Sequence, residues 1–211
     1  LISGAIPKCD IKEFLLALNK NPFSPPELIG FVRAMRAKAL AVSFNVSPLI
    51  DTCGTGGDGL KTFNFSIAAA FVAAGAGAFV AKHGNRSVSS RCGSADVLEA
   101  LGIKLPAPQD LAKAIEKTGF VFLFAQQHHP ALKHVAEARK ELGVRTVFNL
   151  LGPLVNPANV KRQVIGIFSK DLLCTYAEVL LGLGAERSMV LCGDDGMDEL
   201  TLTGPTSIFH V

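Results

Sequence analysis

Residues 49–59, LIDTCGTGGDG, place a short apolar strand directly before a loop that holds four glycines between Gly54 and Gly59. Glycine lets the backbone adopt positive φ, and successive backbone N–H groups can then converge on an anion. The next residues predict a helix near 62–75, whose N-terminus would add the positive end of a dipole. We therefore interpret the loop as a phosphate-binding turn; a tight turn that binds no ligand is the alternative.

Two known glycine motifs share part of this pattern, and neither fits. The dinucleotide-binding fingerprint requires an acidic residue about 20 positions later, but residues 79–83 contain none. The P-loop requires a lysine immediately after its last glycine, whereas Leu60 separates Gly59 from Lys61. The loop thus predicts phosphate binding of a different kind.

Outward from this loop, short apolar runs alternate with helical patterns. Strands are predicted at 49–50, 78–81, 120–124, 163–168 and 188–192, and helices near 62–75, 94–102, 108–118, 131–142 and 171–183. This alternation predicts an α/β fold with a mostly parallel sheet. The first 45 residues predict helices instead, beginning at capping boxes in Asp10–Glu13 and Ser24–Glu27. They are interpreted as a packing or dimerising helical layer.

Further polar residues follow the predicted strands. Residues 82–90, KHGNRSVSS, are predicted to form a loop opposite the glycine loop, because loops after parallel strands gather at one sheet edge. Asp198 and Glu199 follow the last predicted strand, and such carboxylates suit Mg²⁺. Four histidines, His83, His128, His129 and His134, lack a nucleophile partner and are interpreted as hydrogen-bonding or packing groups.

Composition limits the remaining function classes. The chain has 211 residues and a formal net charge of +3, which is too small to indicate a nucleic-acid or membrane partner. Its five cysteines are odd in number and lack C-x-x-C spacing, so reduced thiols in the cytoplasm are expected. The apolar run Phe65–Ala81 is rich in Ala and Gly, and it predicts a buried helix and strand rather than a membrane span.

Six stretches of this sequence resemble the anthranilate phosphoribosyltransferase family. They are DTCGTGGDG at 51–59, FNFS at 63–66, KHGNRSVSS at 82–90, GSADVLEALG at 93–102, FNLLGPL at 148–154 and GMDEL at 196–200. KHGNRS and GSADVLEALG are specific to the family, whereas GTGGDG is shared with wider relatives. The resemblance covers nearly the whole chain.

The resemblance implies transfer of the phosphoribosyl group from phosphoribosyl pyrophosphate to the amine of anthranilate in tryptophan biosynthesis, with Mg²⁺. It implies the fold of class III nucleoside phosphorylases and phosphoribosyltransferases, with a small all-helical domain at 1–46 and near 129–155. The α/β domain would comprise 47–128 and 156–211 and would be incomplete at its C-terminal end. The family is usually a cytoplasmic homodimer joined through the helical domain.

The resemblance also implies the site residues. The positions that match the phosphoribosyl pyrophosphate site are Gly54, Gly57, Asp58, Thr62, Asn64, Phe65, Ser66, Ile67, Lys82, His83, Gly84, Asn85, Arg86, Ser87, Val88, Ser89, Ser90 and Ser94. Gly54, Asn85 and Arg139 match the anthranilate site, and Ser66, Asp198 and Glu199 match magnesium-linked positions. Within these sets, Lys82 and Asp58 are predicted to be catalytic.

The sequence departs from the family pattern in three places. Ile67 replaces a usual threonine and removes one hydroxyl contact, and Gln126 replaces a frequent proline. Family members also continue well beyond Val211, so part of the sheet and its covering helices is expected to be absent. Two rival functions remain at this point: a nucleoside phosphorylase of related fold, and a non-enzymatic relative that binds nucleic acid.

Overall fold

The computed structural model describes residues 1–60, 62–86 and 93–211. The helices are α1 (Lys8–Leu18), α2 (Pro25–Arg36), α3 (Phe65–Gly75), α4 (Ser94–Ala100), α5 (Leu111–Thr118), α6 (Ala125–His128), α7 (Lys133–Leu142), α8 (Phe148–Leu151) and α9 (Leu173–Gly182). The strands are β1 (Leu49–Asp51), β2 (Phe79–Gly84), β3 (Phe120–Phe124), β4 (Arg162–Gly166), β5 (Arg187–Gly193) and β6 (Thr206–His210). Short 3-10 turns lie at Pro108–Asp110, Pro130–Leu132, Gly152–Val155 and Lys170–Leu172.

The six strands form one sheet in the order β3-β2-β1-β4-β5-β6. All neighbouring strands are parallel except β5 and β6, which are antiparallel. The predicted α/β fold with a mostly parallel sheet is therefore confirmed, although β6 was not predicted. The chain proceeds from β1 outward to β3 and then returns to place β4 on the other side of β1. In open parallel sheets, ligands bind outside the carboxyl ends of two strands related in this way.

The N-terminal helices and one face of the sheet share an apolar cluster. Leu15 of α1 and Val32 of α2 are fully buried in it, together with Ile165 of β4 and Val190 of β5. Tyr176 of α9 is also fully buried there. Two smaller clusters pack α5 and α3–α4 against the other part of the sheet. Apolar packing on both faces of the sheet therefore holds in place the strand ends that carry the loops.

Some helix ends match the sequence predictions, and others do not. Ser24 caps α2, and Glu27 accepts a bond of 2.9 Å from the Ser24 backbone N–H, as the capping box predicts. The predicted box at Asp10 is wrong: α1 begins after Pro7, whose extended backbone sets the helix start one turn earlier. Helix α4 begins at Ser94, and its N-cap is Gly93.

The main difference from the predicted elements is the length of β2. It continues through Lys82, His83 and Gly84, which were predicted to belong to a polar loop. The strand extends because these residues remain paired with β3 as far as Gly84 opposite Phe124. Helix α3 begins at Phe65 rather than near residue 62. Among the described residues, no helix has the length and apolar character needed to cross a membrane.

Candidate functional site

The glycine loop lies at the point between β1 and β4 where the strand order reverses. The Thr55 N–H donates a bond of 2.9 Å to the Gly166 carbonyl at the end of β4. A Cβ added to Gly54 would lie 3.0 Å from the same carbonyl oxygen. A Cβ on Gly166 would lie 1.5 Å from the Asp198 carbonyl oxygen. The segments after β1, β4 and β5 therefore approach so closely that glycine is required at the contact.

A buried aspartate joins β1 to β2 beneath this loop. Asp51 accepts bonds from the backbone N–H groups of Cys53 at 3.1 Å and His83 at 3.2 Å. Its other oxygen accepts from Asn156 Nδ2 at 2.8 Å, and the same amide donates to the Ala81 carbonyl. Burial raises the pKa of Asp51 and raises that of the Cys53 thiol to about 12, so Cys53 is not a reactive thiol. Asn156 was not among the residues predicted from the sequence.

Lys82 lies under the glycine loop rather than in an exposed loop. Its side chain is 1% exposed, and Nζ donates to the Thr52 carbonyl at 3.2 Å. The prediction that Lys82 and His83 lie in a polar loop is therefore wrong, because both residues belong to β2 and pair with β3. Lys82 and His83 lie beside Thr52 and Asp51, the residues that precede the glycine loop, as expected for the start of this segment. Lys82 brings a buried positive charge to the carboxyl end of β1.

Three carboxylates face this region. Burial, and then the negative charge of Asp58, raise the pKa of Asp198 to about 6. Burial and Asp198 raise the pKa of Glu199 to about 7, while Lys82 opposes the rise. Asp58 accepts a bond of 3.1 Å from Leu60 N–H through one oxygen, and its other oxygen is buried without a hydrogen-bond partner. Mutually repelling carboxylates with an unsatisfied oxygen are an arrangement that a cation would stabilise.

These carboxylates could hold a divalent cation only at an open site, where water or a ligand supplies the remaining oxygen atoms. In the described part of the chain, no group of three or more His, Cys, Asp or Glu side chains has metal-binding geometry. Mg²⁺ is commonly held by one or two carboxylates together with water and substrate phosphates. Asp198 and Glu199 therefore suit a magnesium ion that arrives with a phosphate-bearing ligand.

The start of α3 lies beside the same loop. Asn64 Oδ1 accepts from the Ile67 N–H at 3.1 Å and from the Ser66 hydroxyl at 3.2 Å. The Thr52 hydroxyl donates a hydrogen bond of 2.8 Å to the Ser66 carbonyl. Ile67 is 2% exposed and packs in the cluster of Phe122. The isoleucine that departs from the family pattern thus contributes packing in place of a hydroxyl contact.

Thr62, Phe63 and Phe65 are exposed in front of this helix. The rings of Phe63 and Phe65 meet edge to face with centroids 5.5 Å apart. Beyond the helix, a Cβ on Gly84 would lie 2.8 Å from the Phe122 ring and 3.2 Å from Ser94. Gly84 is therefore needed for close packing between β2 and the start of α4.

The end of the KHGNRSVSS stretch is only partly described. Asn85 accepts from the Arg86 N–H at 2.8 Å and from Gln126 Nε2 at 3.4 Å, so the glutamine that departs from the family pattern contacts a predicted site residue. Arg86 forms ion pairs with Glu99 and, at 2.9 Å, with Asp96. These two carboxylates raise the pKa of the Arg86 guanidinium. Its guanidinium is thus neutralised by α4. The predicted site residues Ser87, Val88, Ser89 and Ser90 lie outside the described residues.

Three histidines are buried: His83 within β2, His128 at the end of α6 and His129 directly after it. His83 Nδ1 is 3.0 Å from the Gly152 carbonyl, and His128 Nδ1 is 3.0 Å from the Leu40 carbonyl. The rings of His83 and His129 are 5.2 Å apart, and Nε2 of all three histidines is buried without a partner. Burial lowers the pKa of His83 to about 3 and that of His129 to about 4. These two rings are therefore neutral, which agrees with the packing interpretation.

Arg139, the predicted anthranilate residue, lies in α7 on the helical side. Its guanidinium carbon is 5.2 Å from the centre of the Phe148 ring, and burial lowers its pKa. No ion pair to Arg139 occurs among residues 1–60, 62–86 and 93–211. No hydrogen bond joins it to Gly54 or Asn85. A half-buried, unpaired guanidinium remains free to bind a carboxylate ligand.

Arg145 contacts the glycine loop and was not predicted. Its Nη2 donates to the Gly57 carbonyl, and its guanidinium carbon lies 4.2 Å from the Phe168 ring centre. Asn19, next to α1, donates 2.6 Å to the Arg145 carbonyl. The only signal in the sequence is that Arg145 is the single charged residue between Gly143 and Pro157.

The model of the "glycosyl transferase family, a/b domain" matches residues 46–211. Anthranilate phosphoribosyltransferase of Moorella thermoacetica is 51% identical over 99% of this chain and 62% of its own length. That of Teredinibacter turnerae is 53% identical over 99% of this chain and 61% of its own length. The chain thus spans about three-fifths of the length of the curated relatives it matches.

Solved structures agree with the sequence comparison. Anthranilate phosphoribosyltransferase from Thermus thermophilus superposes with a TM-score of 0.93 at 49% identity, covering 99% of this chain and 63% of the other. The Saccharomyces cerevisiae enzyme in complex with PRPP and Mg gives a TM-score of 0.90 at 32% identity, covering 96% and 58%. The matched fold and the matched residues 46–211 lead to one conclusion: this chain belongs to the glycosyl transferase family defined by that a/b domain.

Proposed function

We propose that this chain carries the phosphoribosyl-binding site of an enzyme that transfers the phosphoribosyl group of phosphoribosyl pyrophosphate to the amine of anthranilate in tryptophan biosynthesis. The observation that carries the proposal is the meeting of three features between β1, β4 and β5. These are the glycine loop, the buried Lys82 and the Asp198–Glu199 pair. The similarity to named anthranilate phosphoribosyltransferases, one of them solved in complex with PRPP and Mg, supports this choice of donor and acceptor.

In this proposal the donor's pyrophosphate lies against the glycine loop. Backbone N–H groups of residues 54–59 and the N-terminus of α3 donate to phosphate oxygens. Lys82 supplies a positive charge from beneath the loop. Asp198 and Glu199, with the Ser66 hydroxyl, would hold Mg²⁺. When bound, this ion would neutralise charge that develops on the departing pyrophosphate.

The reaction exchanges one bond at the ribosyl C1 carbon for another. The C1–O bond to pyrophosphate breaks, and its electron pair leaves with the pyrophosphate. The nitrogen lone pair of anthranilate forms the new C–N bond, and the nitrogen then loses a proton. Positive charge accumulates on the ribosyl ring in between, as in glycoside cleavage. The residues under the glycine loop therefore contribute mainly by stabilising the leaving group and positioning both reactants.

The acceptor would lie between the helical side and the glycine loop. Arg139 is half-buried and, within the described chain, unpaired, so its planar fork suits the anthranilate carboxylate. Gly54 and Asn85 complete the proposed acceptor site. His83 and His129, which are buried and neutral, are proposed to pack the site rather than to transfer protons.

The larger assembly is part of the same proposal. Residues 1–46 and 129–155 would form the helical domain, and residues 47–128 and 156–211 the α/β domain. The helical domain would join two copies into a homodimer, for which Phe14 and Leu16 of α1 offer exposed apolar side chains. The enzyme would act in the cytoplasm.

Replacement of Arg139 with Ala tests the acceptor site. We expect the variant to weaken anthranilate binding by about ten- to a hundredfold, because it removes a charged hydrogen-bonding pair. Phosphoribosyl pyrophosphate binding should change little. Lys140→Ala, which removes the next cation of the same helix, is the matched control. Equal weakening of both substrates, or equal effects of the two variants, would refute the role of Arg139.

A further inference from the structure

We infer that Arg145 is a positioning residue that holds the glycine loop in its pyrophosphate-binding conformation. The inference rests on the proposed function and adds a residue to it. Arg145 is exposed, and among the described residues it has no carboxylate partner. Its one side-chain hydrogen bond in the described chain goes to the Gly57 carbonyl.

The peptide bond after Gly57 explains why this contact matters. In a trans peptide, the C=O and the following N–H point in opposite directions. When Arg145 holds the Gly57 carbonyl, the Asp58 N–H is turned to the opposite side of the loop. Gly57 has φ of 82°, a conformation in which only glycine is unstrained, so this peptide would otherwise rotate easily. One external hydrogen bond therefore favours one orientation of this peptide unit.

The orientation of this peptide also determines where the Asp58 carboxylate lies. Asp58 is close enough to Asp198 to raise the pKa of that residue, and one oxygen of Asp58 is buried without a partner. Rotation of the preceding peptide would move this carboxylate away from the proposed magnesium pair. Arg145 thus connects the loop geometry to the carboxylates that would hold the metal–pyrophosphate complex.

Arg145 is itself held from two sides. Phe168, which follows β4, lies under its guanidinium at 4.2 Å, a cation–π distance. Asn19 fixes its backbone carbonyl from the N-terminal helical segment at 2.6 Å. The arginine therefore spans from the helical side to the loops after β1 and β4. A guanidinium that stacks on an aromatic ring and has a fixed backbone can hold the Gly57 carbonyl more firmly than the flexible ammonium of a lysine could.

The test compares Arg145→Gln, Arg145→Lys and Arg187→Gln in the same protein. Arg187 is an exposed arginine at the amino end of β5, away from the loops, and serves as the matched control. We expect Arg145→Gln to weaken Mg²⁺-dependent phosphoribosyl pyrophosphate binding by about tenfold or more, the order expected for a lost charged hydrogen bond. Anthranilate binding and the melting temperature should stay near the wild-type values. Arg145→Lys should recover part of the loss.

The outcomes separate this inference from the proposed function. If the wild type binds phosphoribosyl pyrophosphate and Arg145→Gln binds it as well as Arg187→Gln does, the positioning role is wrong. An equal loss of both substrates in Arg145→Gln would also overturn it, since it would indicate general disruption. If the wild type itself does not bind phosphoribosyl pyrophosphate, the proposed function fails first.

Discussion

Gly166 shows how one residue without a side chain determines the site. It ends β4, and its Cα lies against the backbone of Asp198, so that an added Cβ would be 1.5 Å from the Asp198 carbonyl oxygen. Its carbonyl also accepts the Thr55 N–H of the glycine loop. Both the glycine loop and the Asp198–Glu199 pair are therefore positioned from this one backbone unit.

We predict that Gly166→Ala displaces the turn that carries Asp198 and Glu199. The variant should lose about 1–3 kcal/mol or more of stability, because a backbone clash cannot relax as a side-chain clash can. Urea unfolding and Mg²⁺-dependent ligand binding measure the two effects. Gly30→Ala is the control, since its Cβ would meet nothing within 4 Å inside α2. Wild-type binding by Gly166→Ala would contradict the proposed role of the contact.

A second prediction at the residue scale concerns pH. The pKa of Glu199 is raised to about 7 and that of Asp198 to about 6, so the folded chain holds these protons more tightly than the unfolded chain does. The stability that this difference contributes is fully present below about pH 4.5 and is lost as the pH rises through 7. Mg²⁺ requires the deprotonated carboxylates. We expect calorimetry to show tighter Mg²⁺-dependent binding of phosphoribosyl pyrophosphate at pH 8 than at pH 5.5. Asp198→Asn combined with Glu199→Gln should abolish this difference, and an unchanged difference in that variant would refute the metal assignment.

At the scale of elements, the ends of β1 and β2 are joined by a buried amide. Asn156 donates both to Asp51 and to the Ala81 carbonyl. Asn156→Ala would leave the buried Asp51 carboxylate and the Ala81 carbonyl each with one hydrogen-bond donor fewer. We expect this change to lower the free energy of unfolding by about 2–4 kcal/mol. Chemical denaturation measures this loss, with the exposed Asn45→Ala as the control. A loss below about 0.5 kcal/mol would show that the two strand ends do not depend on this amide.

The elements also show where sequence patterns succeed and where they fail. The alternation of apolar runs predicted the parallel strands β1 to β5, because buried strands carry a strong local signal. The polar residues Lys82 and His83 concealed the true end of β2, since their burial depends on partners far along the chain, such as Asp51 and Gly152. The strand β6, which was also missed, carries the exposed Ile208 and Phe209 at the edge of the sheet and pairs with the preceding strand β5.

The site was predictable to a similar extent. The glycine loop and the Asp198–Glu199 pair follow strands, and parallel topology alone brings strand ends together. Arg145 and Asn156 lie in irregular segments, and nothing in their neighbours indicates a contact with residues 57 or 51. The close approach at Gly166 was also missed, because a single glycine at a strand end has several structural explanations.

For the molecule as a whole, the buried histidines predict acid sensitivity. The folded pKa values of His83 and His129, about 3 and about 4, lie below the ordinary value of 6.5. Their contribution to stability is therefore present above pH 6.5 and is lost as the pH falls toward 4, because the unfolded chain binds the protons. We expect His83 and His129 together to lower the free energy of unfolding by roughly 2–5 kcal/mol between pH 7 and 4.5, against the opposite change that Asp198 and Glu199 make over the same range.

Between pH 7 and 4.5, the histidine-linked loss in the free energy of unfolding should be smaller for His129→Gln than for the wild type. Urea unfolding at each pH measures this difference. His210→Gln, which changes an exposed histidine of β6, is the control. An identical pH profile for His129→Gln and the wild type would show that this histidine does not control acid stability.

The most direct measurement is a calorimetric titration of the wild-type chain with phosphoribosyl pyrophosphate, with and without Mg²⁺, followed by competition with pyrophosphate and with inorganic phosphate. If the loops after β1, β4 and β5 form one site for a diphosphate group, binding will require Mg²⁺, and pyrophosphate will compete far better than phosphate. Binding that ignores Mg²⁺, or equal competition by the two anions, would contradict the existence of that shared site.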